Sequence, residues 1–319
     1  MLLLLSSIWG ASYLFIKIGL RDLSPAMVAF VRVGLAALVL APVALHRGVL
    51  RGVGGRGAML ALIAAVQVAG PFLLIAAGEQ EISSALAGIL VSSAAIFTAV
   101  LAIWVDHEER STGLRLVGVF VGFAGVVLLF GLDLSGSALA ALGGLAVLLA
   151  GLGYAVGGFL VKHRLADAPP LGVVSWVMGW SAALLAPAAF LSAPDTSPGA
   201  GPLAAVSALG LLGTGVAFVI FYSLIARVGP AKTLLVSYIA PGFAVIYGGV
   251  LLDERITAAT IGGLILILLG SWLAAEGRMP GRLPAKAEPL PAAVDPGAGA
   301  VAPQDGQRAA MRRRSGAAR

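Results

Sequence analysis

Arg32 is the residue in this 319-residue chain that most demands a chemical explanation. It lies several residues into an apolar run that begins at Ala26 and ends at Leu45. A guanidinium inside such a run needs a carboxylate, a carbonyl, a wet cavity or an anionic ligand. Its planar fork binds a carboxylate or phosphate at two points, where a lysine offers a single charge. Asp22 and Glu79 are the acids near enough in the expected layout to pair with it. The run before it carries Trp9, Tyr13 and Lys17 at a spacing of four, with Ser12 beside them, so these side chains form one stripe on a helix. Gln67 falls near the middle of the third run and Ser92 on the fourth. Tyr154, Trp180, Tyr222, Ser237 and Tyr238 are second-half counterparts in kind. These twelve residues are the candidate substrate-binding set. Several have a plainer reading as well. Lys17 can snorkel to the interface, Trp180 with Trp176 can belong to an interfacial aromatic belt, and serines can join helix to helix.

Reactions that transform a substrate find little support. There is no cysteine, hence no disulfide, thiolate metal site or cysteine nucleophile. The three histidines, His46, His107 and His163, are expected in loops. No glycine-rich phosphate loop with its lysine is present. No enzyme activity, cofactor or metal is therefore expected.

The elements that must hold these residues follow from composition. The chain is 59% hydrophobic and 11% charged, with a mean hydropathy of +1.00. Apolar runs of about 20 residues mark membrane helices, in which every backbone amide is paired within its own segment. Ten such runs are expected. Their approximate bounds are 1–20, 26–45, 58–78, 84–105, 113–131, 137–161, 171–191, 203–225, 231–252 and 258–276. Trp9, Tyr13 and Lys17 continue past a plausible signal-peptide core, so the first run reads as a retained helix. Residues 277–319 are rich in Pro, Ala, Gly and Arg and read as a disordered basic cytoplasmic tail.

The chain repeats itself at an offset of 145 residues. Leu90-Val91-Ser92 becomes Leu235-Val236-Ser237, Glu109-Arg110 becomes Glu254-Arg255, and Thr112 becomes Thr257. Gly70, Gly118 and Gly125 become Gly215, Gly263 and Gly270, and Lys17 falls on Lys162. Two five-helix repeats are expected, 1–131 and 132–276. An odd number of helices per repeat inverts the second copy in the membrane, the arrangement of alternating-access carriers. Orientation follows from charge. With the N-terminus cytoplasmic, the inner loops and near tail hold twelve basic residues: Arg47, Arg51, Arg56, Arg110, Arg115, Lys162, Arg164, Arg227, Lys232, Arg278, Arg282 and Lys286. The outer corners hold only Arg21 and Arg255. The positive-inside rule then puts both termini in the cytoplasm and also accounts for the net charge of +6 and pI of about 10.1 without nucleic acid.

In the corner Asp253-Glu254-Arg255-Ile256-Thr257, Thr257 is placed to cap the following helix. Glu254 lies where a positive helix end favours a carboxylate. The helix interiors hold no acid away from their ends, which argues against proton coupling, although Glu79 near a helix end can titrate if buried.

Trp9-Gly10 with Lys17, Pro25 and Arg32, Pro241 in the ninth run, and the corner Leu252–Thr257 resemble the EamA-like branch of the drug/metabolite transporter superfamily. The likeness covers about residues 6–275. The first corner departs from the pattern at His107 and Glu108, and Ile96 stands where the second copy has Pro241. The resemblance implies a secondary carrier, usually an exporter, of a small polar or amphipathic metabolite such as an amino acid. It would lie multi-pass in the plasma or inner membrane, with a small-molecule substrate and the lipid bilayer as partners, as monomer or homodimer. The alternatives are a proton-coupled multidrug efflux carrier and a channel or receptor.

Overall fold

The computed structural model describes residues 1–53, 55–105, 113–133 and 137–276. The first corner with Glu109, Arg110 and Thr112, His107 beside it, and the tail 277–319 lie outside the described residues. Every regular element among those described is helical. In chain order the long helices are α1 Leu2–Gly19, α2 Pro25–His46, α3 Gly57–Glu81, α4 Ser84–Trp104, α5 Leu114–Leu132, α6 Ala138–Arg164, α7 Pro170–Leu191, α8 Ala200–Val228, α9 Leu235–Leu251 and α10 Ala258–Glu276. Nine of these are long and apolar enough to cross a membrane. The exception is α9, a 17-residue apolar helix that spans about 26 Å at 1.5 Å per residue. The ninth run was expected to start at Ala231, but the backbone turns at Leu234, after a separate short helix Pro230–Thr233.

Corner contacts sort the helix ends into two groups. At one end the Ser24 and Ser192 hydroxyls lie 2.7 Å apart, and the Gly199 amide donates to Asp22 at 2.7 Å. There too, Glu254 accepts from the amides of Ser84 and Ala85 at 2.7 and 3.0 Å. Asp133 accepts from the hydroxyls of Thr257 and Thr260 at 2.6 and 2.8 Å. At the opposite end Arg56 forms a two-point ion pair with Asp167 at 2.7 and 2.5 Å, and the Trp176 indole donates to Leu50 O.

Caps fall on one end only. Ser24, Ser83, Ser137 and Thr257 each accept an amide in the first turn of α2, α4, α6 and α10. Such caps satisfy donors that have no partner inside the helix. Thr257 does so as its position in sequence predicts. Glu254 does not serve its own following helix; it crosses to the start of α4. All the even-numbered helices begin at this end, where carboxylates meet their positive termini. Among the described residues, no side chain caps the start of α1, α3, α5, α7 or α9.

Packing is between the halves more than within them. α1 lies against α8 and α9, while α6 lies against α3 and α4. α2 packs on α7, α4 on α9, and α5 on α10. The α5–α10 seam depends on glycine. A Cβ on Gly118 would sit 2.7 Å from Gly270 O, and one on Gly270 would sit 2.7 Å from Gly118 O. Small residues let helix backbones approach this closely, which is how helices associate in lipid. The outside is apolar, with Phe120, Val127, Leu142 and Val250 exposed.

Two helices widen at related positions. α3 contains a π-turn at Ala64–Ala69 and α8 one at Leu211–Val216. Subtracting the repeat offset of 145 places the second at 66–71, overlapping the first. In α3 the widening precedes Pro71, which has no amide to offer the carbonyl of Gln67. In α8 the Thr214 hydroxyl donates to Leu209 O, five residues back, at 3.1 Å.

Candidate functional site

The α8 π-turn supplies Thr214 to a buried polar cluster, and Phe72 joins it three residues beyond the α3 π-turn. Arg32 enters it from α2, about two turns beyond its Ser24 cap, and is 9% exposed. Its Nε donates to Thr214 Oγ1 at 3.0 Å, and its guanidinium carbon lies 3.6 Å from the centre of the Phe72 ring. A cation over an aromatic face in a desolvated place is held by about 2 kcal/mol. The partners expected from sequence were Asp22 and Glu79. Asp22 instead takes the Gly199 amide, and Glu79 lies within electrostatic range without a hydrogen bond to Arg32. The groups that touch the guanidinium, a hydroxyl and a ring, carry no negative charge.

Tyr13 from α1 and Tyr154 from α6 are within electrostatic range of Arg32. The Tyr13 ring also approaches Gly88 of α4. Ser12 is buried, donates to Ile8 O at 3.3 Å, and lies against Gly213 in the α8 π-turn. Lys17 lies in the last turn of α1 and pairs with backbone rather than with a carboxylate. Its Nζ donates to Glu79 O and, at 2.8 Å, to Ile82 O. Those carbonyls close α3, whose negative end favours a cation. Glu79 is seven residues beyond Phe72, hence on the same face of α3 and about 10 Å further along it.

The other expected residues fall into separate places. Trp9 packs on Phe218 and Phe221 of α8, and Tyr222 stacks on Phe218 at 6.2 Å, which makes an aromatic wall between α1 and α8. Gln67 sits in the α3 π-turn against Gly157, where a Cβ would be 2.6 Å from Gln67 Cγ. Ser92 donates to Gly88 O, and its own carbonyl accepts from Ser271 of α10. Tyr238 packs on Trp272 and directs its hydroxyl to Ser271 O. Both of the latter belong to the α4–α9–α10 region. Trp180 is 37% exposed at the Arg56 end, and Ser237 is exposed, so neither joins the cluster. Of the histidines expected in loops, His46 and His163 instead lie in the last turns of α2 and α6.

Phe72 and Thr214 belong to the cluster without having been in the expected set. Thr214 had a signal: a hydroxyl next to Gly215, the partner of Gly70 in the repeat. Phe72 had none, because a phenylalanine in an apolar run is unremarkable.

Among the described residues no group of His, Cys, Asp and Glu is placed to hold a metal. The cluster offers charge, hydroxyls and aromatic faces inside a helical bundle, which suits binding rather than bond-making.

The sequence profile of the EamA-like transporter family matches residues 1–131 and again 141–275. The chain belongs to the EamA-like transporter family. As a member of it, the chain is a multi-pass membrane transporter and not an enzyme. It is similar to an uncharacterized transporter of Archaeoglobus fulgidus, with 28% identity over 82% of this chain and 91% of the other. The uncharacterized inner membrane transporter YedA of Escherichia coli is 27% identical, over 83% of this chain and 89% of its own. A probable amino-acid metabolite efflux pump of Escherichia coli is also 27% identical, over 85% and 92%. One solved crystal structure has the same fold, with a TM-score of 0.60 and 20% identity over 86% of this chain and 95% of that one.

Proposed function

We propose that this EamA-like protein is a secondary carrier that exports a small anionic or zwitterionic metabolite, amino-acid-like in size, by alternating access. Arg32 binds the substrate's carboxylate or phosphate. The observation that carries this reading is a buried guanidinium whose described hydrogen bond uses Nε alone. The remaining donors of its fork suit a two-point anion contact. Tyr13, Tyr154, Ser12 and Thr214 supply hydroxyls around the bound molecule, and the Trp9–Phe218–Tyr222 wall receives its apolar part. The efflux pump among the relatives supports the substrate class and the direction.

In this reading ten helices span the membrane as two inverted repeats, 1–131 and 132–276. The support is the paired contacts of α1 and α6, the matching π-turns, and the mutual approach of Gly118 and Gly270. Both termini are cytoplasmic, which puts the capped end outside and the Arg56–Asp167 pair inside, in keeping with the positive-inside rule. The carrier works as monomer or homodimer.

The test is flux in proteoliposomes, with substrates chosen from the metabolites that change in cells with and without the gene. Arg32→Lys should insert normally and lose about 10- to 100-fold in apparent affinity, the size of a charged hydrogen-bond deficit of about 1.5–3 kcal/mol. Arg32→Leu should insert at least as well and transport poorly. Wild-type transport by Arg32→Leu would overturn the site.

A further inference from the structure

Glu79 is a carboxylic acid with no place to put a negative charge. It is 0% exposed, and neither carboxyl oxygen has a hydrogen-bond partner. The groups facing it come from every neighbouring element. From α1, Lys17 is near, but its ammonium is occupied by the Glu79 and Ile82 backbone carbonyls. Tyr13 of the same helix is within electrostatic range. From α2, Arg32 is in range, with its Nε on Thr214 and its guanidinium carbon over the Phe72 ring, and makes no hydrogen bond to the Glu79 carboxyl. The α9–α10 corner brings Glu254, a second carboxylate, already held by the Ser84 and Ala85 amides. From α4, the buried Ser84 hydroxyl is also unpartnered. Where α6 crosses α3 at Gly78 it presents Gly143 and Val147, and its Tyr154 is in electrostatic range of Arg32 and Tyr13. Glu81, on the same helix, is exposed.

We propose that Glu79 is a proton-binding site, and that the carboxyl takes up a proton as the capped end of the bundle closes and releases it when that end opens to water. The step is a plain proton transfer from hydronium or a buffer acid to a carboxylate oxygen, with nothing oxidised or reduced. A carboxylate stripped of water and of donors is not kept charged in an apolar interior; it neutralises instead. Opening the seam between the end of α3 and the Glu254-capped start of α4 hydrates the carboxyl. The carboxylate then lies beside Lys17, which is already anchored on the same turn. Closure therefore consumes one proton, acid favours the closed form, and net transport is driven by, or drives, a proton gradient. The coupling, though not the proton itself, rests on the alternating-access reading.

Two measurements on the purified full-length protein in lipid separate these parts. Infrared difference spectroscopy near neutral pH should show a protonated-carboxyl C=O stretch that disappears in Glu79→Gln and returns, displaced, in Glu79→Asp. A band that persists unchanged in Glu79→Gln overturns the proton site. The second measurement places a lone cysteine at Ser84, whose hydroxyl makes no hydrogen bond, in a chain that has no other. Its labelling by an impermeant thiol reagent is read with Glu79 and with Glu79→Gln, because the second carries the thiol's own pH dependence. The ratio of the two rates should rise with pH, by up to about tenfold per unit for a one-proton linkage. A flat ratio beside a normal infrared band overturns the coupling and leaves the proton site standing.

Discussion

At the residue scale, Arg32, Glu79 and Glu254 are three ionisable groups in an apolar bundle, and each is treated differently. Glu254 is the satisfied one, with two amide donors at the positive start of α4. Charge-assisted bonds of this kind contribute about 1.5–3 kcal/mol each. Glu254→Gln keeps one acceptor and loses the charge. It should lower the unfolding temperature in detergent while leaving flux per folded molecule near wild type. Loss of flux at unchanged stability would instead make Glu254 part of the transport chemistry. On the opposite face, Arg56 donates both ends of its fork to Asp167 and holds that carboxyl down at about 2. A depressed acid stabilises the fold above its unfolded value, near 4, and the effect is lost only as pH falls through about 2. The pair is exposed and screened, so Asp167→Asn should leave the melting temperature almost unchanged and the profile flat from about pH 5 to 8. A pH-dependent loss in that window would point to a different partner for Asp167. Arg32, Lys17, Tyr13 and Tyr154 were legible in the sequence because a polar side chain in an apolar run is costly wherever it lies. The partner of each was not. Glu254 meets residues 170 positions away, and no local pattern encodes that distance. Ser237 lies outside the cluster for another reason. Its neighbour Val236 is fully buried, and one residue turns a helix by about 100°, so a one-step choice moves a hydroxyl from the core to the outside.

At the element scale, the helices were legible as apolar runs, with ends correct to a few residues. The breaks inside them were not. The turn at Leu234 and the two π-turns lie within stretches of unbroken hydrophobicity, and composition carries no record of hydrogen-bond register. The seam between α5 and α10 was half visible. Gly118 with Gly263, and Gly125 with Gly270, were found as a repeated pattern, yet only the fold puts Gly118 against Gly270. Gly270→Val should force these helices apart, since its first side-chain atom would meet the Gly122 and Gly118 backbones. Overpacking of a well-packed site costs about 1–3 kcal/mol. The expected result is a lower melting temperature and a lower yield of monodisperse protein, with Gly131→Val, where nothing lies within 4 Å, as the silent control. Equal behaviour of the two variants would show that the seam is not close-packed in the membrane.

At the scale of the whole molecule, orientation rests on charge and can be read directly. A cysteine at exposed Ser197 should react with an impermeant reagent added to intact cells, and one at exposed Gly55 should react only after lysis. The reverse pattern would turn the molecule over, and with it the direction in which the Arg32 cluster faces. The capped end would then look into the cytoplasm, where its side chains would meet a different pH and ionic strength.

The interlocked packing of the two halves also bears on how the molecule is made. α1 finds its neighbours in α8 and α9, and α5 finds its own in α10, so the first five helices leave the ribosome without the surfaces they are shaped for. Until α10 is inserted, the glycine face of α5 is an unpaired surface in the bilayer, open to lipid or to the same face of another chain. Continuity of the backbone between Asp133 and Ser137 matters less than simultaneous presence. Two fragments divided there and made together have every contact of the intact protein open to them, whereas either fragment alone has a vacant seam.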